Sequence, residues 1–266
     1  MSAIYEYILA GFIMLIMIVA VQTNIQTMIN NEITLIGHEE YSTAESILDM
    51  ILLSPGYPAN WGNLTENPVL FGLASEMTTE AYALDAKKVI RLSENSSLYI
   101  SPGELRSLLG LSSDCNFIIR VTPMLTLDVE GGGGNYIVTI KDHKGFPASN
   151  VNVTGYYVHE SLIPSSEQVV SHAISGIDGK CTFSFSPKTD YILVVCASLL
   201  DIKTMTTYPS GYDFRVEGDR VIRGEVPLLN SINYTTGSFY GLVTQRTERY
   251  VTIDGFTYLF EFEIWR

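Results

Sequence analysis

Residues 3–21 form a run of nineteen positions in which Glu6 is the single charged side chain. A helix of that length rises about 28 Å, close to the hydrocarbon thickness of a bilayer. No Lys or Arg precedes the run, and Ala20-Val21-Gln22 is a poor small-x-small exit. Both points favour a retained spanning helix over a cleaved signal. Glu6 is costly in lipid unless it finds a partner or the interface. Near the terminus it can snorkel to the headgroups or meet its own α-amine. Beyond the run, Ile29, Ile33, Ile36, Ala44, Ile47 and Ile51 continue a spacing of three and four. The spacing predicts one long helix to Leu53, with weak points at Asn30-Asn31 and Gly37 and a stop at Ser54-Pro55-Gly56-Tyr57-Pro58.

The 65 residues from 22 to 86 contain no Lys or Arg, which disfavours holding them in the cytoplasm. An exterior location is therefore expected for the rest of the chain. Sequons at Asn63, Asn95, Asn152 and Asn233 agree with it and are candidate glycosylation sites. A net charge of −13 argues against a nucleic-acid partner, whose phosphates need a basic face.

The expected class is α+β: a long N-terminal transmembrane or pilin-type helix, a small mixed α/β unit, then an antiparallel β-sandwich with a C-terminal hairpin. Residues 1–55 form the helix, 56–130 the mixed unit, and 131–134 a glycine linker, leaving 135–266 to the sandwich and hairpin. Within the mixed unit, Ser101 and Pro102 read as cap and first turn of a short helix to Leu109, and Asn116 to Val121 as a strand. Gly131 to Gly134 reads as flexible linker. Short Val, Tyr, Thr and Phe-rich runs follow, with turn chemistry at Asp142 to Pro147 and Gly176 to Gly179. Asp254-Gly255 between two alternating runs predicts a type I′ hairpin, with Tyr258, Phe260, Phe262 and Ile264 buried and Thr257, Leu259, Glu261 and Glu263 wet.

Three cysteines do not make a disulfide scaffold. Placing Phe185 opposite Ile192 sets Cys181 opposite Cys196 on one face of a hairpin, a spacing that suits a bridge and leaves Cys115 reduced. The alternative is a pair of small buried strand residues. The histidines, His38, His143, His159 and His172, share no ligand spacing, so no metal or other cofactor is expected. There is no HExxH, P-loop or nucleophile-elbow motif, and no enzymatic role is expected.

Two resemblances give these residues a setting. Asp142-His-Lys-Gly145-Phe-Pro147 and Gly176-Ile-Asp-Gly179 resemble turns of exterior immunoglobulin-like and carboxypeptidase-regulatory-like modules, which implies a sandwich over about seventy residues. The apolar start with Glu6, continuing into a striped helix before a β-rich head, resembles type IV pilins. In that family the glutamate is fifth in the processed chain, where Glu6 stands if Met1 is discounted. Leu52 to Gly56, Asn60-Trp61-Gly62, Phe71 to Ala74, Leu105 to Leu111 and Val251 to Trp265 resemble archaeal surface proteins of pilin-like build. The likeness implies a structural cell-surface subunit, a filament or minor pilin, that self-associates through Glu6, Ile29, Ile33, Ile36, Ile47 and Ile51. The alternative is a single-pass anchored binding or adhesion module that holds the bilayer through residues 3–21, packs the same stripe on its own head and contacts surface ligands. Periodicity alone does not separate the two.

Overall fold

The computed structural model describes residues 14, 21–22, 44–77, 79–162, 168–224, 228–237 and 244–265, and the chain divides into two units, 1–46 and 47–266. The first unit is described at six positions, all helical. The second holds every described strand.

In the second unit, residues 47–53 are helical (α1) and stop at Ser54-Pro55-Gly56, where Gly56 takes a φ of 73°. The chain then winds through irregular structure to α2 (Ala86–Val89) and α3 (Pro102–Leu108). α3 starts with the expected Ser101 cap. The Ser101 hydroxyl accepts from the Glu104 backbone N–H, while the Glu104 carboxylate accepts from that of Ser101.

Alternation governs the remainder. β1 (Ala83–Leu84), β13 (Thr244–Ile253), β14 (Phe256–Trp265), β2 (Asn116–Pro123) and β12 (Ile232–Thr235) form one sheet in that spatial order. Its inner face carries Phe117, Ile119, Val121, Tyr234, Phe260 and Phe262, all buried. β3 (Leu125–Gly132), β4 (Asn135–Asp142) and β7 (Lys180–Ser184) form a second sheet. β6 (Val169–Ile174), β5 (Asn152–His159), β8 (Tyr191–Leu199) and β9 (Ile202–Tyr208) form a third. Val138, Ile140 and Phe183 from one, with Val153, Leu193 and Val195 from the other, fill a common core. The expected sandwich is present in part, over β3–β9 rather than over 135–266. β10 (Phe214–Glu217) and β11 (Arg220–Arg223) pair as a hairpin over the sandwich's outer face, where Phe214 and Val221 cover Tyr156, Val158, Ile192 and Val194.

Several expectations are corrected. Over the described residues the class is mostly β, not α+β with a long N-terminal helix. Among the described residues strands dominate, α2 and α3 have four and seven residues, and no helix is long and apolar enough to cross a membrane. A three-and-four spacing reports an apolar stripe, whereas the length of a protein helix is set chiefly by what packs on that stripe. Most of residues 3–21 lies outside the described positions.

The 131–134 linker is a hairpin instead. Gly131 and Gly132 pair with Tyr136 and Asn135, and Gly133-Gly134 make the turn. Gly131, Gly133 and Gly134 have φ of 123°, 60° and 89°, and a Cβ on Gly134 would collide with the Phe185 carbonyl. Glycine is there for shape. Nor does the chain divide at that point. β2 lies before it, yet pairs with β12 and β14 after it, so the sandwich is an insertion between strands of the first sheet.

The C-terminal hairpin forms with Ile253 opposite Phe256 and positive φ at Asp254 and Gly255, as a type I′ turn needs. Its outer face is drier than alternation implies. Leu259 and Glu261 are buried, and Ile264 on the inner face is only half-buried. Glu261 sits between Arg120 of β2 and β13, bonded by Arg246, while Arg120 pairs with Glu263 at 3.0 Å. Charge pairing covers the carboxylates that alternation leaves to water.

Gly179, at a φ of 72°, ties the β6–β7 turn to the sandwich: its carbonyl accepts from the Ile140 N–H at 2.8 Å, and a Cβ would lie 2.5 Å from the Ile140 carbonyl. Gly179→Ala is expected to cost about 1–3 kcal/mol in urea unfolding, whereas Gly145→Ala, with open space around it, costs less.

Candidate functional site

Immediately after α1 the chain builds a clamp from residues with almost no ladder hydrogen bonding. Tyr57 and Leu70 form an isolated bridge, with the Tyr57 N–H donating to the Leu70 carbonyl at 2.9 Å. The Leu73 N–H donates to the Ile51 carbonyl at 2.7 Å, and that of Ala74 to Ser54 at 3.0 Å. Trp61 is fully buried, its indole N–H donating to the Gly72 carbonyl at 2.9 Å and its ring 5.7 Å from Phe71. A Cβ on Gly72 would strike the Ser54 carbonyl. The structure thus joins three of the segments that carry the archaeal resemblance, Leu52 to Gly56, Asn60 to Gly62 and Phe71 to Ala74.

Two buried cations close the clamp. Lys88 Nζ donates to the carbonyls of Pro55 at 2.9 Å and Ala74 at 2.8 Å. Arg91 Nε donates to Leu98 O, Nη1 to the carbonyls of Trp61, Leu64 and Glu66 at 3.0–3.2 Å, and Nη2 to Asn67 Oδ1 at 2.6 Å. The guanidinium also lies 5.1 Å from the Trp61 ring centre. Burial pulls both cations below their ordinary pKa, opposed at Lys88 by Asp85 and Glu76 and at Arg91 by Glu104. Carbonyl oxygens serve as the counter-charge. Neither residue stands out in the sequence.

Around this clamp lies an apolar fringe. Ile47, Leu48, Ile51 and Leu52 of α1 are buried, but Met50 and Leu53 on its other side are exposed, and so are Tyr57, Val69 and Leu70. Asp49 on the same helix lies 4.0 Å from Arg249 of β13. Ile47 and Ile51 are 9% and 0% exposed within the chain itself. Glu6, Ile29, Ile33 and Ile36 lie outside the described residues.

The expected Cys181–Cys196 bridge is also corrected. All three cysteines are thiols. β7 pairs with β4 in one layer and β8 with β5 and β9 in the other, so residues 185–190 cross between layers and no hairpin forms. Cys181 points into the sandwich core, while Cys196 packs on the outer apolar cluster beneath β10–β11. Burial pushes the Cys181 thiol up to about 11 and that of Cys196 up to about 12.

The four sequon asparagines are exposed: Asn63 ends a 3-10 turn, Asn95 lies in a loop, and Asn152 and Asn233 lie on β5 and β12. No group of His, Cys, Asp and Glu among the described residues has the geometry of a metal site. A cleft of about 250 Å³ lies between β3, β9 and the β14 end of the first sheet, and its one charged lining residue, Asp128, pairs with Lys141 at 2.8 Å. No protein-family model matches the chain, and no curated protein matches it.

Two outcomes are expected. Arg91→Ala, which strands four carbonyls and opens a cavity beside Trp61, should destabilise the protein by about 3–5 kcal/mol in denaturant unfolding, and Arg91→Lys should recover only part of that. Thiol titration of unreduced protein in denaturant should count three thiols. Native protein at pH 8 should react slowly at Cys181 and Cys196, whose protonated forms dominate until far higher pH. A count of one would restore the bridge.

Proposed function

We propose that the protein is a structural subunit of a cell-surface assembly, pilin-like in role, with its two-lobed β head outside the cell. The observation that carries this reading is the exposed side of α1. Apolar side chains on the uncovered side of a short helix, continuous with others beside it, mark a contact surface. The head covers only the side bearing Ile47, Leu48, Ile51 and Leu52. Met50 and Leu53 are left exposed beside Tyr57, Val69 and Leu70 on the rigid clamp. A second copy of the chain is the occupant that suits such a fringe in a repeating assembly. The lack of Lys and Arg from 22 to 86 and the exposed sequons support the exterior location.

The second reading is a surface-held binding or adhesion module that does not polymerise. The burial of Ile47 and Ile51 in the chain's own head favours it, because that part of the stripe is already satisfied.

A photo-crosslinking amino acid at Leu53 or Val69, introduced into the full chain in its native cells, separates the two. Assembly predicts a ladder of crosslinked copies that Met50→Ser with Leu70→Gln suppresses, with unfolding stability changed by about 0.5 kcal/mol or less. A crosslink confined to other proteins, or none, would count against assembly and leave the second reading standing.

A further inference from the structure

Three turns close one end of the sandwich: β4–β5, β6–β7 and β8–β9. The pairings of Leu125 with Asp142, Asn152 with both Ile174 and Ser198, and Leu199 with Ile202 bring them together. Each turn holds one large apolar side chain out in solvent: Phe146 at 65% exposure, Ile177 at 96% and Leu200 at 90%. Isolated exposed apolar residues need no explanation, but three on adjoining turns of one end do.

The turns are stiff. Asp142 Oδ1 accepts from the Lys144 and Phe146 N–H groups, both at 2.9 Å. Ser175, buried between the turns, donates to the Ala148 carbonyl at 2.8 Å and accepts from the Val151 N–H at 2.9 Å. The Gly176 N–H donates to the Lys180 carbonyl at 2.9 Å. Phe146 and Ile177 therefore project from fixed backbone, and little entropy is lost when they are immobilised.

Charge narrows what they meet. Lys141 pairs with Asp128 at 2.8 Å. Lys144, Lys180 and Lys203 are exposed, with no ion pair among the described residues, and Asp142, Asp178 and Asp201 lie on the same turns. Three amines and three carboxylates leave this end near neutral in a chain of net charge −13, which suits a zwitterionic headgroup layer. Separate apolar points among such charges match a surface that is phosphate-bearing and zwitterionic outside and apolar beneath, and that takes side chains at any spacing. A protein partner would need three pockets at these positions.

We propose that this end of the sandwich is a membrane-surface contact, in which Phe146, Ile177 and Leu200 enter the interface of a phospholipid bilayer and Lys144, Lys180 and Lys203 meet its phosphates. The proposal is independent of the assembly reading, since it uses other residues.

The test places an environment-sensitive NBD label at Ile177→Cys in the full chain, with a second preparation labelled at Tyr250→Cys, an exposed site on β13. Both are mixed with phosphatidylcholine vesicles, with and without brominated acyl chains. The label at 177 should shift to the blue, gain intensity and be quenched by the brominated chains, and that at 250 should not. Adding Phe146→Asp and Leu200→Asp should abolish the response at 177 without altering the circular dichroism of the fold. No change at 177, an equal change at both sites, or a shift that requires a protein extract in place of vesicles would overturn the proposal.

Discussion

The first lobe depends on two buried cations that bind no carboxylate. Residues 54–74 have few ladder hydrogen bonds, so their carbonyls need donors from elsewhere. Lys88 and Arg91 supply them from one short helical stretch, reaching Pro55, Ala74, Trp61, Leu64, Glu66 and Leu98. Burying an ion costs several kcal/mol in a real protein, and carbonyl dipoles offset that cost only if nearly all of its protons are used. Arg91 meets the condition with five acceptors, and Trp61 lies against its guanidinium. The clamp is thus both a core and a hydrogen-bonding scaffold. It also positions the exposed fringe of Met50, Leu53, Tyr57, Val69 and Leu70, because the backbone carrying those residues is the backbone the cations hold.

The sandwich is bound to this lobe by continuity and by a polar joint. β2 leads through Met124 directly into β3, so the insertion enters along a strand with no linker. On the return path, Arg215 of the covering hairpin pairs with Asp254 at the tip of β13–β14 and lies 5.8 Å from the Phe256 ring centre. Tyr258 donates to the Leu229 carbonyl at 3.1 Å beside that joint. Phe256 also packs against the apolar cluster under the hairpin, so the C-terminal turn serves both lobes. A type I′ turn at Asp254-Gly255 therefore does more than reverse the chain: its carboxylate anchors the inserted module.

What was legible in the residues was local. The Ser101 cap, the turns at Asp142 and Gly179, and the Asp254-Gly255 hairpin are each set by chemistry within a few positions, and each forms. What failed needed knowledge of layers. Phe185 and Ile192 look like hairpin partners because a short connection rich in turn residues can join paired strands, yet a sandwich can use the same length to cross from one sheet to the other. Gly131 to Gly134 look like a linker because glycine suits flexible chain and positive-φ turns equally. The striped residues from 29 to 51 predict a buried face but not its partner, and of them only Ala44, Ile47 and Ile51 are described, all buried. Lys88 and Arg91 left no local trace, since their role lies in carbonyls up to 33 positions away.

The acidic surface and the exposed apolar groups fit together once range is considered. Copies bearing a net charge of −13 repel one another, but at physiological ionic strength that repulsion is screened beyond about 8 Å. The same charge keeps separate copies soluble. Contact therefore has to be won at short range, by apolar area on a surface that does not have to be ordered first. Both exposed apolar groups meet this requirement by different means. The fringe beside α1 is stiffened by cations beneath it, and the sandwich end by side-chain and backbone hydrogen bonds within its turns. The local charge then distinguishes the two proposed occupants. The fringe has Asp49 beside Arg249 and Lys88 turned inward onto the Pro55 carbonyl, which suits a second copy. The sandwich end sets Lys144, Lys180 and Lys203 among Asp142, Asp178 and Asp201, which suits a zwitterionic headgroup.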